Sequence, residues 1–453
     1  MRAAPCRGPC KYMRRVKIDT ANLIAGMYVA QLDRPWLETP FLFQGFEIRD
    51  DSEIDLLKHY CRHVYIDVMR GSVSEEEIKK YTDRSGTEVA LKTGQYKPKV
   101  APRPTLKHHI LSALSKIDPT GRIAHQLEGS RTYRIKTPIK REMPQAMAAY
   151  EVAMITMNNV LEHVREGRTV DVGQVQEAAG PIINSVLRNP GAMGWFVLLN
   201  KRDEYAYSHS IASSVWAVVL GRHLGFDHAA LEMLALGGML LDIGKACIPE
   251  ALLRKTDKLT NVEKDLLARH VEYGLELVSD YPGIGREVLD MIGSHHERLD
   301  GSGYPDGLQG SDIHAYGRIA GLVDCYDAMT GNRPYAAAMS SYDAVCELNA
   351  LAEVHFQKEL VEQFVQALGM FPTGSIVELN SGEVGIVVEQ NRVRRLRPKV
   401  MLVLSPDKQP LKKNPTVDLR KVSGDASKRN SRWILKGYES GAFGIDPGDY
   451  FIV

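Results

Sequence analysis

The run AALEMLALGGMLLDIGK, residues 229–245, contains the most apolar window of the chain and places a carboxylate at that window's end. The window, Leu231 to Leu241, is interrupted by Gly237 and Gly238. It is far shorter than the ~20 residues needed to span a bilayer, so it predicts a buried helix. Asp242 closes that helix and Lys245 follows three residues later. Burying a carboxylate is unfavourable unless it is paired or binds a metal. Both readings are open here, neutralisation by Lys245 or capture of a cation.

Outward from this run, apolar residues recur at i, i+3 and i+4 in Met154 to Val164, Ile211 to Leu220, Asp343 to Leu351 and Leu360 to Leu368. The periodicity predicts an all-α domain over residues 145–371. After Phe371-Pro372-Thr373-Gly374 the pattern becomes alternating and β-branched, at Ile376 to Leu379, Val384 to Glu389 and Val400 to Leu404, which predicts a β-rich extension over 372–453. Before the helices, 97–144 is basic and carries several prolines, the composition of an exposed linker. Residues 14–96 read as a small α+β regulatory domain, with strands at Met27 to Leu32 and Val64 to Val68 and a helix over Ser52 to Tyr60 capped by Ser52. Trp36, Phe41, Phe43 and Phe46 fit that domain's core better than a binding surface. Residues 1–13 read as a disordered tail, with Met13 a candidate start. The fold class is multidomain: α+β, then all-α, then β-rich.

Composition narrows the function. With 44% hydrophobic and 25% charged residues, the 453-residue chain is of ordinary globular type and long enough for two or three cores. A formal net charge of +1 excludes a globally basic nucleic-acid binder, and no specific nucleic-acid binding is expected. Residues 391–436 are locally basic and leave open a contact with a membrane surface, nucleic acid or a partner. Six cysteines without secreted-domain spacing suit a reducing cytoplasm, and no signal peptide or transmembrane segment is read.

Groups able to bind metals fall in segments flanked by apolar helix: His209, Asp242, His270, His295, His296 and Asp324. Four imidazoles and two carboxylates suit transition metals rather than calcium. His295-His296-Glu297-Arg298 precedes a glycine-rich loop from Asp300 to Gly307, an arrangement resembling ligands beside a mobile lid. Asp324 and Asp327 are three residues apart and so share a helical face. Arg333 follows shortly after, an oxyanion-binding fork.

These residues resemble the HD-GYP family, bacterial cyclic di-GMP phosphodiesterases within the HD metal-hydrolase superfamily. The resemblance rests on His209-Ser210, Asp242-Ile243-Gly244-Lys245, Leu259-Thr260 with Glu263, His270, the run from His295 to Pro305, Asp324 to Met329, and Arg333-Pro334-Tyr335. The flanks are similar to a recurrent arrangement, a domain of unknown function before the HD unit and a β extension after it. The resemblance implies two divalent transition-metal ions, iron or manganese ahead of zinc, cobalt or nickel. His209, Asp242 and Asp324 would hold one, and Asp242, His270, His295 and His296 the next. It implies catalytic roles for Asp242 and Lys245, substrate binding by Lys245, Gly303, Tyr304, Asp327 and Arg333, and products pGpG or GMP. Biofilm and motility signalling, with a diguanylate cyclase as a further partner, belongs to the same expectation.

The sequence departs from the family pattern at Leu241, where the name-giving histidine would stand, and at Tyr205, where some members carry a third-metal glutamate. Losing an imidazole should weaken the first metal. It also keeps a second reading in view, a partly degenerate module that binds cyclic di-GMP or a signalling partner without turnover.

Overall fold

The structure, a computed structural model, describes residues 15–33, 41, 46–48, 51–68, 72–74, 77–78, 131–199, 205–331, 337–391, 395–421 and 432–450. The expected tail, the linker up to residue 130, Trp36, Phe43 and Arg333 lie outside these residues, as does the side chain of Tyr205. The chain divides into two compact units, residues 1–109 with 392–396 and 419–433, and residues 110–391 with 397–418 and 434–453.

In the first unit β1 (Arg15–Asp19), β2 (Tyr28–Leu32), β3 (Phe46–Glu47) and β4 (His63–Asp67) form an antiparallel sheet in the order β1-β4-β2-β3. Alternation sends Ile18, Val29, Val64 and Ile66 into a core completed by Ile54 and Leu57 of α1 (Asp51–Tyr60). The helix begins at Asp51, one residue before the Ser52 expected to cap it. Phe41 stacks on Phe46 with ring centroids 4.8 Å apart, as part of that core.

The second unit opens with α2 (Ile139–Arg165), which starts inside the stretch expected to be linker. A proline at its entry and a basic first turn mask an amphipathic helix whose Glu142, Ala146, Ala149, Tyr150 and Ala153 are buried. Glu142 takes both donors of a bidentate pair from Arg188, at 2.8 Å each, fixing α2 to the end of α3 (Val172–Arg188). The helices then run as α4 (Pro190–Leu199), α5 (Tyr205–Leu224), α6 (His228–Leu240), a 3-10 turn (Ile243–Cys247), α7 (Glu250–Leu253), α8 (Asn261–Ala268), α9 (His270–Val278), α10 (Arg286–Ser294), α11 (Ala315–Thr330), α12 (Ser341–Ala350) and α13 (Lys358–Leu368). From Ser208 to Arg222, α5 shows no solvent-facing stripe, and α6 is buried from Leu234 to its end. Helices apolar on all sides belong in an interior, as the quoted run predicts. Among the described residues no helix is long and apolar enough to cross a membrane.

β5 (Ile376–Leu379), β6 (Val384–Glu389), β7 (Lys399–Leu404), β8 (Thr416–Asp418) and β9 (Ile434–Tyr438) close the unit as an antiparallel sheet, order β8-β7-β6-β5-β9. Ile376, Val384, Ile386 and Val403 pack on Trp195 of α4, so the expected seam near residue 371 is closed by a shared core. Strands β8 and β9 escape the sequence pattern because neither shows an apolar alternation.

Candidate metal centre

Four segments converge on Asp242. The end of α6 delivers Asp242 into a turn with φ −106° and ψ 11°, and the following 3-10 segment lies against the start of α9. Gly244 permits that approach, since a Cβ there would stand 2.0 Å from the His270 carbonyl oxygen and 2.5 Å from the Gly274 nitrogen. His270 is the first residue of α9, His295 and His296 directly follow α10, and Asp324 and Asp327 project from α11. His209 comes from the first turns of α5.

The two oxygens of Asp242 face different groups. Oδ1 lies 3.4 Å from His270 Nε2 and 3.6 Å from His295 Nε2, while Oδ2 lies 3.4 Å from His209 Nε2 and 2.6 Å from Lys245 Nζ. His209 Nε2 is also 2.9 Å from Asp324 Oδ1. Donor atoms of Asp242, His270, His295 and His296 lie within 4.8 Å of one another, and so do those of His209, Asp242 and Asp324. The six residues expected as ligands are thus brought together in two sets that share Asp242.

The protonation pattern fits a cation. His270 Nδ1 sits 2.7 Å from the Leu267 carbonyl and His295 Nδ1 2.8 Å from the Ile292 carbonyl. A carbonyl only accepts, so each Nδ1 donates and each Nε2 is turned toward Asp242. Burial lowers the His270 pKa to about 4, so its ring is neutral at pH 7 and presents a lone pair. Burial, then the neighbouring His295, pushes His296 well below its ordinary value. Asp242 Oδ1, buried between these rings, accepts no hydrogen bond. The two ring nitrogens and this carboxylate oxygen, 3.4–3.6 Å apart, have the spacing of donors at about 2.1 Å from one centre.

The first set is balanced differently. Burial alone would lower His209, but hydrogen bonds to Asp324 and Asp327 outweigh it and raise its pKa to about 9. Its Nε2 proton and the Lys245 ammonium therefore carry the positive charge among Asp242 and Asp324. Burial likewise opposes the charged form of Asp242, yet Lys245 above all holds its carboxyl well below the usual range. Leu241, fully buried, adds no donor.

Asp327, expected to bind substrate, is committed elsewhere. Its Oδ2 lies 2.8 Å from His209 Nδ1, its Oδ1 accepts from Trp216 Nε1 at 3.4 Å, and the residue is 4% exposed. It holds His209, a candidate ligand, from behind, the geometry of a carboxylate–histidine–metal relay. Trp216 and Glu297 are site residues the sequence reading did not single out. Trp216 lies in no ligand pattern and its partner is distant in sequence, while Glu297 stands inside the His295 to Pro305 run but is met by backbone amides, which no side-chain pattern records.

The loop after His296 is tied down rather than lid-like. Asp300 and Gln309 form a β-bridge at its base, Tyr304 N donates to the His296 carbonyl at 3.2 Å, and the Tyr304 ring stacks on His296 at 4.6 Å. Gly303 presses on the chain there, since a Cβ would stand 2.4 Å from Arg298 N and 2.5 Å from the His296 carbonyl oxygen.

Residues 197–360 match the HD domain, 15–175 a domain of unknown function, DUF3391, and 376–424 a KOW domain associated with the HD domain. The chain is 29% identical over 391 residues to the cyclic di-GMP phosphodiesterase PA4108 of Pseudomonas aeruginosa, covering 86% of this chain and 85% of that protein. It is 35% identical over 166 residues to 3'3'-cGAMP-specific phosphodiesterase 2 of Vibrio cholerae, 36% of this chain and 32% of that one. Over 167 residues it is 35% identical to the cyclic di-GMP phosphodiesterase response regulator RpfG of Xanthomonas campestris, 35% of this chain and 44% of that one. The two shorter matches span less than half of those relatives' lengths.

Proposed function

We propose, from the premise that this chain belongs to the HD-domain family through residues 197–360, that it is a metal-dependent phosphodiesterase hydrolysing cyclic di-GMP to pGpG or GMP. The observation that carries this reading is Asp242, whose two oxygens face two largely buried donor sets at once. Two divalent transition-metal ions, iron or manganese ahead of zinc, cobalt or nickel, would supply an activated water and neutralise charge at the phosphorus. The near-complete length match to a cyclic di-GMP phosphodiesterase supports that substrate.

The chain's own groups have distinct tasks. His209 and Asp324 present an imidazole and a carboxylate to Oδ2 of Asp242, and Asp327 fixes the imidazole's orientation. Lys245, whose side chain is 27% exposed, can swing from Asp242 toward a phosphate oxygen and bring a proton to the leaving oxygen. His270, His295 and His296 keep the opposite side dry and rich in nitrogen donors. Tyr304, stacked on His296, forms the pocket edge against which a nucleobase is oriented. Arg333, outside the described residues, would bind phosphate on the strength of the sequence motif alone. A cytoplasmic place and a role in biofilm and motility signalling, with a diguanylate cyclase as a further partner, accord with this substrate.

The test is direct. Purified protein loaded with manganese or iron is incubated with cyclic di-GMP, and in parallel with 3'3'-cGAMP, and products are resolved by chromatography. Linear pGpG or GMP supports the reading, and turnover of 3'3'-cGAMP alone moves the substrate. Binding of cyclic di-GMP without product, together with substoichiometric metal, sinks it in favour of a receptor, the outcome Leu241 would then explain.

A further inference from the structure

Glu297 lies between two candidate ligands and the loop that carries Tyr304, and its side chain is hydrogen-bonded to that loop. It is 4% exposed, with Oε1 accepting from Asp306 N at 2.8 Å and Oε2 from Leu308 N at 3.0 Å. No lysine, arginine or histidine of the described residues pairs with it within 4.0 Å. Its charge is met by backbone amides, which are obligatory donors and unfavourable to leave unmatched when buried.

Both amides belong to the segment just after Tyr304. Upstream, Tyr304 is tied through its own nitrogen to the His296 carbonyl, and Gly303 is seated on the backbone of residues 296–298. Downstream, the chain returns to the β-bridge between Asp300 and Gln309. Tyr304 is therefore clamped on both sides, and Glu297 supplies a side-chain part of the downstream clamp through Asp306 N and Leu308 N. A carboxylate reaches two amides 2 residues apart at once, whereas an aspartate is a methylene too short and a glutamine offers one accepting oxygen.

We infer that Glu297 is a positioning residue: its carboxylate holds the Tyr304 loop as a preformed platform against His296, so that substrate recognition is set by this buried anion rather than by loop closure. The inference rests on the phosphodiesterase reading for its effect on turnover, though not for its effect on the loop. Without the carboxylate, Asp306 N and Leu308 N lose their acceptors and Tyr304 comes away from His296. The donor set itself, anchored on helices, stays in place.

The experiment has a structural and a kinetic arm, both on the full chain. Amide hydrogen exchange reads Asp306 and Leu308 in the wild type, Glu297→Gln and Glu297→Ala. The amides are expected to be protected in the wild type, intermediate in Glu297→Gln and fast in Glu297→Ala, and equal protection in all three overturns the inference whatever the activity. Kinetics compare cyclic di-GMP with bis(p-nitrophenyl) phosphate, a diester too small to need the platform. Glu297→Ala is expected to lower kcat/KM for cyclic di-GMP about 10- to 100-fold, chiefly through KM, and to change the small diester far less. Metal content stays at the wild-type value, and Glu297→Gln recovers part of the loss. In a Tyr304→Ala background the Glu297 substitution should add little, because both act through one platform. Equal loss on both diesters, loss of metal, or additive effects would place Glu297 outside this role. A wild type inert toward both diesters removes the hydrolase reading, and the exchange result still decides the platform.

Discussion

The ammonium of Lys245 lies 2.6 Å from Oδ2 of Asp242, the same oxygen that faces His209 Nε2 at 3.4 Å. A cation entering between His209, Asp242 and Asp324 must therefore displace Lys245 and the His209 proton. One entering beside Oδ1 meets an unsatisfied oxygen and ring nitrogens. The two sets are unequal in donors as well, since Leu241 contributes none to the first.

Loading should accordingly be sequential. Manganese titration with stoichiometry by elemental analysis is expected to show the set with three histidines filling first and the His209 set later. Leu241→His should tighten the later step by at least about tenfold. Simultaneous filling of both positions in the wild type would contradict the asymmetry.

Asp327 should matter through His209 alone. Asp327→Ala strips the acceptor from His209 Nδ1 and is expected to weaken the later metal about 10- to 100-fold. The earlier metal and the helical content by circular dichroism should be unchanged. Asp327→Asn, which retains an accepting oxygen, should fall between the two, and identical behaviour of both variants would argue against orientation as the role.

Gly244→Ala tests the contact between the 3-10 turn and α9. A Cβ placed 2.0 Å from a backbone oxygen cannot be relieved by a rotamer change, so the turn or the helix must move. The expected destabilisation is about 1–3 kcal/mol by urea unfolding, with weakened metal binding because Asp242 and His270 sit on the two sides of that contact. Wild-type stability and metal affinity in this variant would show that the approach is looser.

The Thr260–Glu263 capping box gives a pH signature. Lys255 Nζ lies 2.6 Å from Glu263 Oε1, and the Thr260 backbone N–H and hydroxyl donate to Oε2, so the Glu263 pKa is lowered to about 2. A carboxyl lowered on folding contributes stability that is fully present above its ordinary value near 4.5 and is lost as pH falls through about 2. The Tm difference between the wild type and Glu263→Gln should thus be constant from pH 7 to 5 and shrink on further acidification. High salt should reduce it, as for any solvent-exposed pair. A difference growing in acid would have the wrong sign.

Much of this molecule was legible in residue order. Apolar periodicity identified the buried helix before Asp242, the later helices α12 and α13, and strands β5, β6 and β7, because local spacing alone decides which face of an element is buried. Residue chemistry singled out the six groups able to bind metals, since together they supply four imidazoles and two carboxylates, a set suited to transition metals. Composition misled where it competed with pattern: Pro144 and the basic residues Lys140 and Arg141 read as linker, yet the first turns of α2 lie there.

Tertiary structure alone decided who faces whom. His209 meets Asp327 across 118 positions of sequence, Trp195 joins a sheet that begins at Ile376, and Glu297 is satisfied by amides whose identity no side-chain pattern records. Periodicity is local, within one or two turns, whereas such pairings follow from how buried helices and loops close on one another. Residue order thus determined the elements and the donor inventory. Folding determined that Asp242 is shared, that Lys245 contends for one of its oxygens, and that the loop bearing Tyr304 is held in place.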